Sequence, residues 1–550
     1  MKRVKKLLIV SLSLMMVLSG CSAGGTSKQA GSTSKKDSSG KYSPEITIKI
    51  AKQLEEMAGK YKKGETLNNN VLTKWGEKKL GIKIKTTLLG GDAGNYNTKL
   101  RLALTGSDDL PDVFPVYDKQ LMSDLIESGR VKAIDGDIKK YMPQRLKEIY
   151  DKYPDSFNPV TKDGKVYGLA ITPSEGIGQT MLIRQDWLDK LGLKAPTTVD
   201  EFEKVLDAFT NKDPDGNGKK DTYGWALSGK DGYSTGWISD PVFIFGAFSG
   251  KNIPGQWNKD TSGNLVYGST VAGNKQALAK LQKWYKAGYL NRELAVQGAW
   301  DAITPFIQGK AGILFGRNWV YDSVKDVETN NPKAKVAVYK FPKGLNGQSG
   351  QSVQLYDGVL MFNSKFNNME AFFDYYNALY DYAFSTGDFK DGFFKDYDYD
   401  VVNGKVTYDP TKFDPPLKEV QGVGKMSVLK NSPDITDAGK DYYEIYKGAT
   451  PARGRQARVA ASDAIVLKAG ALAYEDRKYN SMDEFTGAPT KTMQKNWEQL
   501  KTLEVETFNK IVYGKKDISA FDVFVKEWKQ KGGDQITKEV NDWYKSVKSK

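Results

Sequence analysis

Near its start this chain alternates strand-like runs with helical stretches, and that order constrains the fold more than any other feature. Ile46-Thr47-Ile48-Lys49-Ile50 alternates apolar and polar residues with the period of a half-buried strand. A helical stretch follows over residues 71–79, then a second alternating strand at 82–86. The spacing predicts a helix over 97–104, a short buried strand at 112–114 and a helix over 120–128 closed by Gly129. Strand and helix repeated in this way build an α/β layer with mainly parallel strands, because a parallel pair needs a crossover and a helix supplies one. The part of the chain that can build a core runs to roughly 500 residues, too many for one core, so two or more lobes are expected.

The N-terminus carries a different signal. Lys2, Arg3, Lys5 and Lys6 are followed by an apolar run over residues 7–17 and by Leu18-Ser19-Gly20-Cys21. This is the layout of a secretory leader, and its apolar run is too short for an ordinary spanning helix. The Leu-Ser-Gly-Cys ending resembles a bacterial lipobox, which implies lipidation of Cys21 (palmitate and related acyl chains) after removal of residues 1–20. Two or more acyl chains on one residue give stable anchoring at a membrane. Residues 21–43 then read as the anchor and a flexible tether, since 22–41 are mostly Ser, Gly, Thr and Lys. No later apolar stretch is long enough to cross a bilayer. The body is therefore expected on the outer face of the cell membrane.

Composition closes off several chemistries. Cys21 is the only cysteine, which excludes an intramolecular disulfide. The chain has no histidine, which removes the commonest general base and the commonest zinc ligand. Ser-His-Asp, Cys-His and His-bearing metal sites are excluded together. The formal charge of +14, or +10 without the four basic residues of the leader, comes from lysines and acids interspersed along the chain. No basic-aromatic block stands out, so nucleic acid is not an expected partner.

Further along, motifs gather in one order. Leu110-Pro111-Asp112-Val113-Phe114 with Leu125-Ile126-Glu127-Ser128-Gly129, then Asp163-Gly164-Lys165-Val166-Tyr167-Gly168-Leu169, lead to Arg184-Gln185-Asp186-Trp187-Leu188 and Ala195-Pro196-Thr197-Thr198-Val199-Asp200-Glu201. In the last segment Pro196 stops a helix, and Thr198 with Glu201 forms a capping box for the next. Phe306-Ile307-Gln308-Gly309-Lys310-Ala311-Gly312 and Gly316-Arg317-Asn318-Trp319 follow, and the tail ends in Gly532-Gly533-Asp534 and Trp543-Tyr544. Together these resemble family 1 extracellular solute-binding proteins of the long Gram-positive lipoprotein branch. The resemblance implies a two-lobed, periplasmic-binding-protein-like α/β fold of type II, with hinge strands and a central cleft. By position, the N-lobe would comprise 44–171 and 358–385 and the C-lobe 172–357 and 386–550, with crossings near Ile171, Gly358 and Ser385. It further implies a monomeric, non-catalytic binder that takes up a carbohydrate and delivers it to an ABC permease by hinge closure.

Asp213-Pro214-Asp215-Gly216-Asn217-Gly218-Lys219-Lys220-Asp221 has the spacing of a calcium loop. Asp213, Asp215 and Asn217 would offer side-chain oxygens, Lys219 its carbonyl, and Asp221 an oxygen directly or through water. The twelfth position is Gly224 rather than a bidentate Glu, so this is not a full EF-hand. The expected role is a structural Ca2+, set against a plain Asp/Gly/Asn turn as the alternative.

The chain has eleven Trp and thirty Tyr. A sugar presents an apolar C–H face to an aromatic ring and hydroxyls to polar groups. Trp237, Trp257, Trp300 and Trp319 lie in irregular Gly-rich segments, where side chains can point into a cleft, with packing inside a lobe the equal alternative for Trp237 and Trp257. By resemblance, Trp319 occupies the position that stacks on sugar in the family. Asp301, Arg317, Asn318 and Asp357 are candidate polar partners, and Glu175 and Arg184 flank the first crossing. Trp187, Trp284, Tyr285, Trp497, Trp528 and Trp543 are expected in the core. Three other readings stand beside this one. A secreted carbohydrate-active enzyme needs only paired carboxylates. A peptide receptor would favour charged clamps. A surface adhesion or sensor protein is compatible with the same fold.

Overall fold

Two mixed sheets, each covered on both faces, organise the molecule. The computed structural model describes residues 34–53, 61–106, 109–174, 177–230, 232–418, 422–430, 432–435 and 437–548. The leader, Cys21, most of the tether and Glu175 lie outside the described residues. The first sheet contains β1 (Ile46–Lys52), β2 (Ile82–Leu89), β3 (Val113–Val116), β4 (Gly168–Ala170) and β9 (Val359–Phe362), in the order β2-β1-β3-β9-β4. The second contains β5 (Thr180–Arg184), β6 (Tyr223–Trp225), β7 (Ala311–Gly316) and β8 (Val336–Tyr339), in the order β6-β7-β5-β8.

In the first lobe the helical run expected at 71–79 is α1 (Val71–Trp75) continued by a wider π turn over Gly76–Leu80. Asp92 caps α2 (Ala93–Thr105), and Asp118 caps α3 (Lys119–Glu127), after which Gly129 turns at φ 69°. Ile46, Ile48, Leu360 and Phe362 point to one core, Phe114, Val116, Val359 and Met361 to another on the opposite face. That alternation follows from the period of two along a strand. Each such side chain contributes about 1.5–3 kcal/mol by leaving water.

The second lobe repeats the plan. Met181, Ile183, Ile313 and Phe315 face one core, Leu182 and Leu314 the other. The capping box forms as expected: Thr198 accepts from the Glu201 amide, and Glu201 accepts from the amides of Thr197 and Thr198, at the start of α4 (Val199–Asn211). The preceding helix (Gln185–Lys190), however, ends well before Pro196. Gly192, at φ 65°, turns the chain there because a glycine meets no steric cost in that region. Trp319 precedes α5 (Val320–Val324).

The expectation of mainly parallel strands is corrected. β1, β2 and β3 are parallel, but β9 runs antiparallel to β3 and β4; β6 and β7 are parallel, but β5 runs antiparallel to β7 and β8. The reason is connectivity. β5 and β9 are the strands that enter their sheets directly from the other lobe, so they start at the edge where their neighbours end. The two crossings lie side by side: Ile171 donates to Gly358 O (2.8 Å), Asp357 to Ile171 O (2.9 Å) and Ser174 to Leu355 O (2.9 Å).

The third crossing is not at Ser385. Ser385, at φ 56°, ends α6 (Asp381–Phe384) within the first lobe. Phe389, Phe393, Val423, Met426 and Leu429 then pack in the same core as Ile46 and Phe362. The described residues of 386–435 therefore belong with the first lobe, not the second as position alone implied, because their large apolar side chains are buried there. The chain returns to the second lobe beyond Ile435, the last residue packed on the first lobe's core, and Tyr442 of α7 (Ala438–Tyr446) already packs on the core of Leu182 and Leu314. In α8 (Gly454–Ala460) Arg455 N donates to Ser385 Oγ (2.7 Å) and Arg458 to Tyr382 O (2.7 Å) in the first lobe. In α9 (Ala464–Glu475) Val466 is buried beside Leu182 and Leu314 in the second. The long α10 (Lys491–Val512) closes the second lobe's core with Phe508, Ile511 and Val512. Among the described residues no helix is long and apolar enough to cross a membrane.

Candidate functional site

The strand directions define where a ligand would meet both lobes. β1, β3 and β4 end at the edge from which β9 departs, and β6, β7 and β8 end at the edge from which β5 departs. Both edges adjoin the paired crossings. In α/β sheets ligands bind outside the carboxyl ends of strands, because loops there are free to diverge.

At that edge of the second lobe stand three indoles. Trp319 lies 5.2 Å from Trp237 and 5.9 Å from Trp300, centroid to centroid, with interplanar angles of 52° and 38°. Trp237 and Trp319 are half-buried, and Trp300 is 58% exposed. The Arg317 guanidinium sits 5.4 Å from the Trp237 ring. β7 ends at Gly316, so Arg317, Asn318 and Trp319 leave the sheet at the cleft edge. No Cβ fits at Gly316, since Val320 lies 2.6 Å from where one would be.

The loop bearing Trp237 is held by a buried carboxylate. Asp240, 1% exposed, accepts from Thr235 Oγ1 (2.7 Å), Gly236 N (2.6 Å) and Trp237 N (3.4 Å). Burial pushes this carboxyl up, and these hydrogen bonds oppose the shift. Gln179, on the first crossing, donates to Trp237 O. Burial draws the Arg317 guanidinium below its ordinary range, while Asp357 and Asp240 pull it back. Its Nε is shielded from solvent and donates to nothing among the described residues. Asp357 lies on the second crossing, so Arg317 links the second lobe to the hinge. Asp301 accepts from Gly298 N (2.8 Å) and so steadies the turn that presents Trp300. Asn318 is buried and faces the Tyr442 phenol of α7.

Two proposed contacts are elsewhere. Trp257 is 1% exposed, 5.2 Å from Tyr267 and 6.3 Å from Trp528 inside the second lobe. Arg184 stands at the far end of β5, paired to Asp186 through two hydrogen bonds (2.8 and 2.6 Å) and 4.7 Å from the Trp187 ring. Both are enclosed by their own lobe and cannot reach a ligand at the strand ends. The core expectation fits Trp187, Trp284 and Trp528, which are fully buried; Trp497, Trp543 and Tyr285 pack against the core.

Sequence reasoning missed the first-lobe wall, which comprises Tyr117, Lys52, Lys425 and Lys430, and it missed the positioning residues Asp240 and Gln179. Asp240 alone left a signal, standing just before Pro241 and a helix. Along the rim Lys119 of α3 approaches Asp483 (3.4 Å) and donates to Phe485 O (3.1 Å), and Asn158 donates to Thr486 Oγ1 (2.8 Å), tying one lobe to the other.

The 213–221 loop lies apart from the cleft, after α4. Asp213 accepts from the amides of Gly216, Asn217 and Gly218 (3.1 Å each), and Asn217 bridges Asp215 (2.8 Å) and Asp221 (3.1 Å). Lys310 pairs with Asp221 at 2.6 Å. Burial, together with contact with Asp213, pushes the Asp215 carboxyl up. Two carboxylates in contact need a proton or a cation between them. Asp213, Asp215 and Asn217 therefore fit a hard cation, whereas Asp221 would first have to release Lys310. Among the described residues no three acidic side chains are gathered into one cage.

Comparison with known proteins places this architecture. A family model described as bacterial extracellular solute-binding protein matches residues 71–381. The chain is 26% identical to lipoprotein LipO of Bacillus subtilis (strain 168), over 99% of each chain. It is 25% identical to the polygalacturonan/rhamnogalacturonan-binding protein YtcQ of the same strain, over 81% of this chain and 83% of that one. Among solved structures it is similar to the Streptococcus pneumoniae ABC-transporter substrate-binding protein FusA in complex with kestose, with a TM-score of 0.64 at 20% identity over 92% of this chain and 99% of that one. It is also similar to the alginate-binding protein AlgQ2 without calcium, with a TM-score of 0.63 at 18% identity over 91% and 98%. The family match takes in the whole second sheet, four of the five strands of the first and all three indoles of the cleft edge, and the chain belongs to the bacterial extracellular solute-binding proteins.

Proposed function

We propose that this chain captures an oligosaccharide outside the cell and delivers it to the permease of an ABC importer. It works as a monomer, held at the outer face of the membrane by acyl chains on Cys21. The observation that carries this reading is the Trp237–Trp319–Trp300 surface beside Arg317, set where the strands of one lobe end against the hinge. Indole faces receive the C–H face of a pyranose or furanose ring, and the guanidinium donates to oxygens around it. Closing the lobes about the paired crossings buries the guest, and the closed form is what a permease recognises. Relatives whose names specify kestose, galacturonan or alginate support a carbohydrate guest.

The same arrangement argues against catalysis. Asp398 and Glu504, both pushed up to about 7 by burial, lie in the interiors of different lobes. Asp398 accepts from the amides of Phe393, Phe394 and Val423, and Glu504 from Tyr267. They do not face each other across a glycosidic bond, as an acid and its partner must. We further propose that the 213–221 loop holds a structural Ca2+ through Asp213, Asp215, Asn217, the Lys219 carbonyl and Asp221. Binding the folded state alone would stabilise it by mass action, by about 2–3 kcal/mol at a hundredfold excess over Kd.

A thermal-shift screen of the mature chain tests both statements. One class of oligosaccharide is expected to raise Tm, and EDTA to lower it by about 5 °C with recovery on adding Ca2+. Stabilisation by peptides with no response to any glycan sinks the carbohydrate reading. Indifference to EDTA sinks the calcium reading.

A further inference from the structure

The wall at the carboxyl ends of the first lobe's strands is basic. The carboxyl ends of β1 and β3 form a small pocket lined by Lys52, Gln53, Tyr117, Lys425, Val428 and Lys430, with no acidic side chain lining it among the described residues. Lys52 is 4% exposed, and its ammonium donates to the carbonyls of Lys425 (2.7 Å), Ser427 (2.6 Å) and Leu429 (3.1 Å). Those three bonds hold the 425–430 segment against the strand ends and set Lys425 and Lys430 at the pocket. Lys430 lies 5.8 Å from the Tyr117 ring centroid and makes no ion pair among the described residues.

This wall is continuous with the hinge. Tyr117 packs on Gly358, where a Cβ would lie 2.6 Å from the ring, and Gly358 follows Asp357, which faces Arg317. Positive charge therefore approaches the cleft from both sides: Arg317 on the indole side, with its Nε buried and undonated, and Lys430 on the other. Asp357 offsets part of it. The Asp240 oxygens are already engaged by the 235–242 turn. Closing the lobes on a neutral sugar would desolvate Lys430, and Arg317 beyond what Asp357 offsets, without a further anion to compensate, which is costly. A carboxylate on the guest removes that cost. A planar guanidinium takes it through two parallel hydrogen bonds, and an ammonium serves as a point charge.

We propose that the cargo is an acidic oligosaccharide, a uronate-bearing glycan whose carboxylates are received by Arg317 from one lobe and Lys430 from the other while its rings lie on the Trp237–Trp319 face. This rests on the oligosaccharide reading above. Calorimetric titration of the mature chain tests it, with oligomers of galacturonate, glucuronate and mannuronate, their methyl esters, and neutral oligosaccharides of matched length. At least one acid is expected to bind, its ester roughly tenfold or more weakly, with the acid's affinity falling as salt rises. Lys430→Gln is expected to weaken the acid roughly tenfold and to leave the ester unchanged, with an unaltered melting curve. Arg317→Lys keeps the charge but loses the fork, and is expected to weaken the acid as well. Equal affinity for acid and ester, or binding of neutral glycans alone, overturns the acidic assignment and leaves the carbohydrate reading intact. Binding of peptides alone, or of no glycan, overturns both. Unchanged acid affinity in a folded Lys430→Gln overturns the role given to Lys430.

Discussion

Trp257 and Trp319 follow similar stretches of sequence, Pro254-Gly255-Gln256 and Gly316-Arg317-Asn318, yet they meet opposite fates. Trp257 opens a short strand paired with Leu265–Tyr267. Its ring is closed in by Tyr267 and Trp528, the latter two stacked at 5.0 Å and 9°. Trp319 lies just past the end of a sheet strand, flanked by two further indoles, and one of them is largely exposed. Both clusters are aromatic, but only the second keeps a face for a guest. A glycine-rich, polar lead-in tells where the backbone bends; it does not tell what other element will cover the ring.

Substitutions break this comparison cleanly. Trp257→Ala should cost about 3–5 kcal/mol of unfolding free energy in urea, because it leaves a cavity that packed neighbours cannot close. Cargo affinity below the transition should stay the same, and a loss under 1 kcal/mol would show that the ring is not core. Trp319→Ala should do the reverse. Affinity should fall by about 2 kcal/mol, or roughly 30-fold, while Tm moves little, since a half-exposed ring contributes mostly to the guest. Unaltered affinity by titration would remove Trp319 from the site.

A third effect, spread over pH, sharpens what burial means for the first cluster. Glu504 sits under Tyr267, which donates to it at 2.8 Å, and burial pushes its carboxyl up to about 7 despite hydrogen bonds from Ser269 and Tyr267. The folded state therefore keeps a proton that the unfolded state releases above its usual value of about 4.5. Stability from this group is full at low pH, falls as pH rises toward 7 and is flat beyond. Glu504→Gln should remove that slope and gain up to about 3 kcal/mol above pH 7 relative to the parent, measured as a urea series across pH. A slope unchanged by the substitution would place the proton elsewhere.

Much of the fold was legible because local rules agree with it. Ile46, Ile48 and Ile50 alternate into a core as their period demands, Thr198 and Glu201 cap their helix, and Gly129 turns where a left-handed residue is needed. The strand directions were not legible. They depend on which strands arrive from the other lobe, and no local pattern records that. Residues 386–435 were misplaced for the same reason: Phe389 and Leu429 are apolar in any lobe, and only contact with Ile46 and Phe362 assigns them.

The site divides along the same line. Composition alone excluded histidine chemistry and disulfides, and motif order alone pointed to a two-lobed binder. The indoles, Arg317 and the metal loop were visible as residue types in suggestive settings. Only tertiary structure separated Trp319 from Trp257 and Arg317 from Arg184, and only it brought Lys430 and Tyr117 to face residues far away in sequence. Hydrogen bonds and periodicity act over a few residues and leave their mark in sequence. Burial and charge in a cleft come from surfaces that meet across hundreds of residues, and these exist only once the chain has folded.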